Sequence, residues 1–542
     1  MARTTALGSL RAAVAALGVA ASVAGAQSAP RAVADGIQYD GALAGAADVA
    51  VFKGIPFAQP PVGALRWRPP EPIKPASGNR PALKFSPHCV QTNRLAVWTR
   101  TIAAAFGTEA KVVDDPFEVS EDCLYLNVWT AAEPRSLAPV MVWIHGGSNL
   151  NGSGASSWYD GTELARRGAA VVTINYRLGI FGFMGDSALA AESPHGAAGN
   201  YGLMDQLEAL RWVQRNIRAF GGDPNRVTVF GESAGSIDLM HLVASPLSKG
   251  LFHRAIAESG APFAGMPNLA ATHRAASFLA KQLGADTAAN RLAALRAAPA
   301  DKVLAAQNAL VGTGFLPGPS VDGWVLPDVT ARIFERGEHQ RIPVMIGSNA
   351  LEMSTLRTYV PAFQRTVAAY GAWTRAMFGA NAERVQALFP ASADSLVDRA
   401  TLGLVTDFLF TCPTRLAARA MTKAGQNVYL YHFTRVAPGG EKLGAWHAAE
   451  ISYVFGMVPP WLPQDRTDAA LGEEIRGYWL RFAATGDPNG TKAISWPAYG
   501  TRGRDYYLEL GDAIVTRTDL AKDRCDTIEP TNRALYQASP NR

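Results

Sequence analysis

The segment Gly231-Glu232-Ser233-Ala234-Gly235 sets one serine between two glycines, directly after the apolar run RVTVF. A strand that turns this sharply into a helix crowds the backbone around the serine. Glycine on each side removes the side chains that would clash. The pattern predicts a nucleophile, with its hydroxyl lifted to the carboxyl edge of a sheet above the amino end of the next helix. A tight glycine turn with an incidental serine is the competing reading. Serine is a poor nucleophile near neutral pH, so a base, a group that orients the base and donors for an oxyanion must lie elsewhere in the chain. The stretch WIHGGSN offers the donors: His145, Gly146, Gly147 and Ser148 follow a second apolar run, and glycines let backbone N–H groups approach a substrate oxygen. The amide of Ala234, next to the serine, would be a further donor.

These groups need a frame. The runs APVMVWI, AAVVTINYR, NRVTVF, RIPVMIGSN and NVYLYHF are apolar without alternation, as expected of strands buried on both faces. Between two of them, Leu203, Leu207, Leu210, Val213 or Gln214, and then Ile217 recur near helical spacing, and Gly221-Gly222 ends that pattern. Strand and helix in alternation predict an α/β fold with a mainly parallel sheet. The Ala-rich stretch from Ala270 to Ala309 predicts helices inserted after the strand RAIAESG, and LPGPSVDGWVLP predicts a loop after them. No linker divides the chain.

Of the 542 residues, 48% are hydrophobic and 18% charged, a globular composition. The first 26 differ from the rest: Arg3 and Arg11 without an acid, a small apolar run from Ala12 to Val23, then Ala24-Gly25-Ala26. This predicts a secretory signal peptide over residues 1–26, cut after Ala26, with 27–542 as a single domain. The apolar run is too short for a comfortable membrane span, so stable membrane insertion is not expected. Loss of Arg3 and Arg11 takes the formal charge from +5 to +3 (5 − 2). The basic residues do not cluster, and nucleic acid is not an expected partner. Export implies an oxidising compartment, secreted or periplasmic, in which Cys89, Cys123, Cys412 and Cys525 can form two disulfides. Three connectivities are open, and the local pairing Cys89–Cys123 is the first choice.

Taken together, the segments FKGIPFAQPPVGALRWRPPEP, SEDCLYLNVWT, VWIHGGS, VVTINYRLGIFGF, GNYGLMDQLEALRWVQRNIRAFGGDPNRVTVFGESAGS, GSNALE, GAWHAAEISYVFG and YWLRFAATGDPN resemble the type-B carboxylesterase/lipase family, which includes the cholinesterases. The likeness spans nearly the whole mature chain. It implies the α/β-hydrolase fold, with a large, mostly parallel twisted sheet flanked by helices and long insertions forming a substrate gorge. It also implies a Ser-Glu-His triad in that chain order. The acid would be Glu352 in MIGSNALEM and the base His447 in GAWHAAEISYVFG. Gly147 and Ser148 would share the oxyanion hole with Ala234, and Glu232 and Glu450 would form a supporting polar network. The resemblance pairs Cys89 with Cys123 and Cys412 with Cys525. It calls for no cofactor. His447 and Glu450 form an HxxE pair, but no second pair completes a metal site.

The chain departs from the family at several places. The glycine strip, often HGGG or HGGA, here continues with Ser148 and Asn149, which narrows that wall while keeping a backbone N–H. Met353 replaces a common glycine after the acid, and either faces the pocket or fills core. Trp158 and Trp446 lie near gorge segments, yet no cationic pocket can be assigned to them. His145 is expected to be packed and hydrogen-bonded, His432 to sit in a strand, and the residues after His447 to form an apolar strand-like segment. The expected activity is hydrolysis of small-molecule carboxylic esters through an acyl-enzyme. A carbamate or amide hydrolase on the same triad is the alternative. A non-catalytic adhesion relative is disfavoured because all three triad residues are present. The natural substrate and the oligomeric state are not specified by these residues.

Overall fold

The computed structural model describes Met1 and residues 29–110, 117–263, 266–357 and 365–539. The expected signal peptide lies, Met1 apart, outside them. Among the described residues, eleven strands form one sheet: β1 (Ala42–Ala44), β2 (Val49–Pro56), β3 (Tyr125–Ala131), β4 (Ala138–Ile144), β5 (Ala170–Ile174), β6 (Gly222–Glu232), β7 (Arg254–Glu258), β8 (Val344–Asn349), β9 (Val428–Phe433), β10 (Tyr506–Leu510) and β11 (Ile514–Thr518). Their order is β11-β10-β9-β8-β7-β6-β4-β5-β3-β2-β1. From β10 across to β5 every neighbour is parallel, and the strands at both margins are antiparallel.

The lack of alternation in the strand sequences has a direct cause. Along β4, Val140, Val142 and Ile144 face one apolar cluster while Met141 and Trp143 face another. Both faces are covered, so both must be hydrophobic. Among the covering helices are α1 (Tyr201–Asn216), α2 (Ala234–Ala244), α3 (Ile451–Phe455), α4 (Arg466–Thr485) and α5 (Lys522–Ala538). The leucines at helical spacing in α1 are buried, and Gly221, at φ 78°, ends the short 3-10 turn that follows it. The Ala-rich insertion forms helices Leu269–Gln282, Arg291–Ala297 and Ala300–Gly312 after β7. The strand-like segment expected after His447 is instead the helix α3, and all five of its residues are buried. A short, wholly buried run carries no period that separates strand from helix.

Disulfides join Cys89 to Cys123 and Cys412 to Cys525, across sequence separations of 34 and 113. On the chain-entropy account they stabilise the fold by about 4 and about 5 kcal/mol. The first frames the helix Arg94–Ala105, and the second ties α5 to the body of the chain. No helix among the described residues is long and apolar enough to cross a membrane.

Candidate active site

The parallel strands β6, β8 and β9 end on one side of the sheet, and each delivers one of the expected residues. Ser233 stands between β6 and α2 with φ 56° and ψ −123°. A non-glycine residue in that region costs about 1–3 kcal/mol and persists only where its surroundings hold it. Here its N–H donates to Glu258 O at 2.9 Å and its carbonyl accepts from Ile237 N at 3.0 Å. The flanking glycines are required by proximity to β4. A Cβ on Gly231 would sit 2.7 Å from Ile144 O, and one on Gly235 would sit 2.1 Å from it. Within the buried turn, Ser233 is the partly exposed residue.

Glu352 follows β8 and His447 lies in the loop between β9 and α3. The imidazole Nδ1 is 2.7 Å from Glu352 Oε2, and the other oxygen, Oε1, accepts from Asn349 N at 2.7 Å. Both side chains are buried. On its far edge, His447 Nε2 lies 3.1 Å from Glu232 Oε1, an ion-pair distance without hydrogen-bond alignment. Ser233 and His447 line the same cleft, but no hydrogen bond joins their side chains in this structure. Burial alone would lower the His447 pKa. The carboxylates of Glu232 and Glu352 outweigh it, so the imidazolium is favoured above the ordinary histidine range. Burial raises the Glu232 pKa, and His447 partly offsets that.

The HGGS strip lies against the turn that carries Ser233, where a Cβ on Gly146 would come within 3.0 Å of Ser233 Cβ. Gly147 has φ 107°, and Ser148 and Asn149 are both left-handed at 59° and 56°. That conformation is maintained by Asn149, which donates to Asp238 Oδ1 of α2 at 3.0 Å and accepts from Tyr176 Oη at 3.0 Å. No hydrogen bond within the described chain takes up the N–H of Gly147 or Ser148, and Ala234, first in α2, has no intrahelical acceptor. His145 stacks on Tyr176 at 4.5 Å, and burial lowers its pKa to about 4, so it is a neutral packed residue.

Glu450 accepts from Ser259 Oγ at 3.1 Å and from Asn349 Nδ2. Behind it lies Glu258, which sequence reading did not single out. It ends β7 in register with Glu232, is fully buried, and accepts from Trp479 Nε1 at 2.8 Å. Burial and then Glu450 raise its pKa well above the carboxylate range. The available signal was an acid inside the apolar run RAIAE. Trp98 carries no signal in the sequence either, because contacts distant in the chain, such as its indole N–H to Thr355 O at 3.1 Å, seat it at the cleft. It lines the cleft with Leu95, Trp158, Tyr159, Leu356 and Ile451, around a cavity of about 70 Å³. Trp446 is buried behind this wall, 5.9 Å from the Trp98 ring and 6.2 Å from that of Trp158. Met353 is core, packed with Leu402 and Val405.

A sequence model described as "Carboxylesterase family" matches residues 35–528. Fumonisin B1 esterase of Sphingopyxis macrogoltabida is 39% identical over 501 residues, covering 89% of this chain and 87% of that protein. Liver carboxylesterase 1 of Mus musculus is 35% identical over 507 residues, covering 85% of each. A solved structure of PNB esterase superposes with a TM-score of 0.79 at 31% identity, covering 92% of this chain and 99% of that one. The chain therefore belongs to the carboxylesterase family: it is a carboxylic ester hydrolase of the α/β-hydrolase fold.

Proposed function

We propose that this enzyme is an exported serine esterase, secreted or periplasmic, working through an acyl-enzyme on Ser233. The observation that carries the reading is His447 held on Glu352 at 2.7 Å in the cleft that Ser233 enters from its strained turn. Glu352 fixes the proton on Nδ1 and leaves Nε2 to take the Ser233 proton as the hydroxyl attacks the ester carbonyl. The N–H groups of Gly147, Ser148 and Ala234 then stabilise the oxyanion. His447 returns the proton to the departing alcohol, and water releases the acid. In the resting arrangement Nε2 lies beside Glu232, and the contact with Ser233 forms in the substrate complex, where such bonds tighten. The tryptophan and aliphatic walls favour esters with apolar or aromatic parts. Two disulfides and the leader over 1–26 support export, with 27–542 as one domain.

A phosphonate ester tests the reading. It should leave one adduct, on Ser233, in a protein whose mass begins at Gln27, and hydrolysis of aryl and alkyl esters should fall in step with labelling. Fumonisin B1 belongs in that substrate panel because a relative is named for it. Adduct on another residue, or activity surviving full labelling, would refute the assignment.

The pH dependence follows from the carboxylates. Only neutral His447 can accept a proton, and its pKa is raised, so activity should grow as pH rises through that raised value. Glu232→Gln removes one anion beside Nε2. The pKa then falls, and the acid limb of kcat/KM should move to lower pH by about one unit. A limb that stays in place would mean Glu232 carries no charge when the enzyme works.

A further inference from the structure

The C-terminal region reaches His447 by a route that uses neither triad nor oxyanion loop. Asp407–Thr411 form one π-helical turn between the helices Asp394–Thr406 and Cys412–Lys423. A π turn re-aims the side chains it carries and recurs at functional positions. This one presents Phe410, whose ring centroid is 5.2 Å from that of His447 at an interplanar angle of 54°. Phe410 is half-buried and leans on the Met353, Leu402 and Val405 patch beside Glu352. Three contacts from α5 hold the turn. Cys525 is bonded to Cys412, Arg524 pairs with Asp407 at 3.0 Å, and Asn532 donates to Phe408 O at 3.0 Å. From the active-site side, Met353 N donates to Thr406 Oγ1 at 3.2 Å.

We propose that Phe410 is a positioning residue for His447, fastened by α5, whose ring keeps the imidazole on Glu352 and stabilises its cationic form as Ser233 gives up its proton. The inference rests on His447 being the base. An aromatic ring within cation–π range attracts an imidazolium through its quadrupole and leaves a neutral imidazole nearly unaffected. The interaction therefore favours the state formed in the transition state. The charged groups facing His447 are Glu232 at the end of β6, Glu352 after β8 and Glu450 before α3, while Asp407 and Arg524 pair with each other. None of these is altered by a change at Phe410.

Phe410→Leu keeps most of the apolar bulk and removes the ring. It should lower kcat about five- to tenfold with KM within about twofold, and shift the acid limb of kcat/KM to lower pH. Fluorinated phenylalanines at Phe410 keep the ring's shape and withdraw its π density. They should reduce kcat and move the limb stepwise with fluorine content, at unchanged melting temperature. A flat response across the fluorinated series, with an unmoved limb in Phe410→Leu, would show that the ring only fills space. His447→Ala separates the two ideas. If it is inactive while the Phe410 series is flat, this inference alone fails; if it stays active, the base assignment fails first.

Discussion

Ser233→Ala is expected to lower kcat for ester hydrolysis about 10⁵- to 10⁶-fold, the scale seen when a triad nucleophile is deleted from a serine hydrolase. The size follows from what remains. In the proposed mechanism no acyl-enzyme forms without the hydroxyl, and the proposed oxyanion donors and the cleft can only hold the ester for attack by water. The fold should tolerate the change. The cost of φ 56° belongs to the backbone and is the same for alanine, and the anchoring bonds to Glu258 O and Ile237 N use main-chain atoms. Substrate affinity and melting temperature should therefore stay near those of the parent while turnover disappears. Turnover reduced less than about a hundredfold would mean that water attacks directly or that another residue is the nucleophile.

Much of this site was legible in the residues because its parts impose local demands. GESAG needs its glycines where Ile144 O leaves no room for a Cβ, and the runs feeding Ser233 and Glu352 are apolar because the sheet is covered on both faces. What was not legible depends on long-range placement. Trp98 comes to the cleft from the loop that Cys89 and Cys123 close, and its indole donates to Thr355 O at 3.1 Å, a partner 257 residues away. Phe410 meets His447 only because a π turn re-aims it, and no periodicity announces such a turn. The helix α3 reads as strand-like in the sequence because five buried residues have no polar face to mark a period. Glu258 was passed over because an acid in a buried strand has meaning only once its neighbours are known.

Those neighbours explain why so many acids surround one base. Glu232, Glu258, Glu352 and Glu450 are all buried, and His447 is the one basic group among them. Four carboxylates cannot ionise together against a single imidazolium. Hydrogen bonds sort them. Glu352 accepts from Asn349 N and faces His447, and Glu450 accepts from Ser259 and Asn349, although burial and then Glu352 still raise the Glu450 pKa to about 7. Among the described residues Glu258 has only the Trp479 indole, and its second oxygen has no partner. It is the acid that burial most readily keeps neutral.

That sorting also sets the second large effect, on Glu352→Gln, expected to lower kcat about 10⁴-fold with little change in KM. The glutamine would keep the acceptor for Asn349 N and turn its NH₂ toward His447 Nδ1. An amide donor there makes Nδ1 the acceptor and moves the ring proton to Nε2, the nitrogen that receives the Ser233 proton in the proposed mechanism. The charge that stabilises the imidazolium is lost in the same substitution. Glu450 cannot take over, because its oxygens are held by Ser259 and Asn349 while Nδ1 points at Glu352. Steady-state kinetics on one aryl ester decide the matter. A fall in kcat with KM preserved supports Glu352 as the orienting acid, and a kcat within tenfold of the parent would transfer that role to another carboxylate of the cluster.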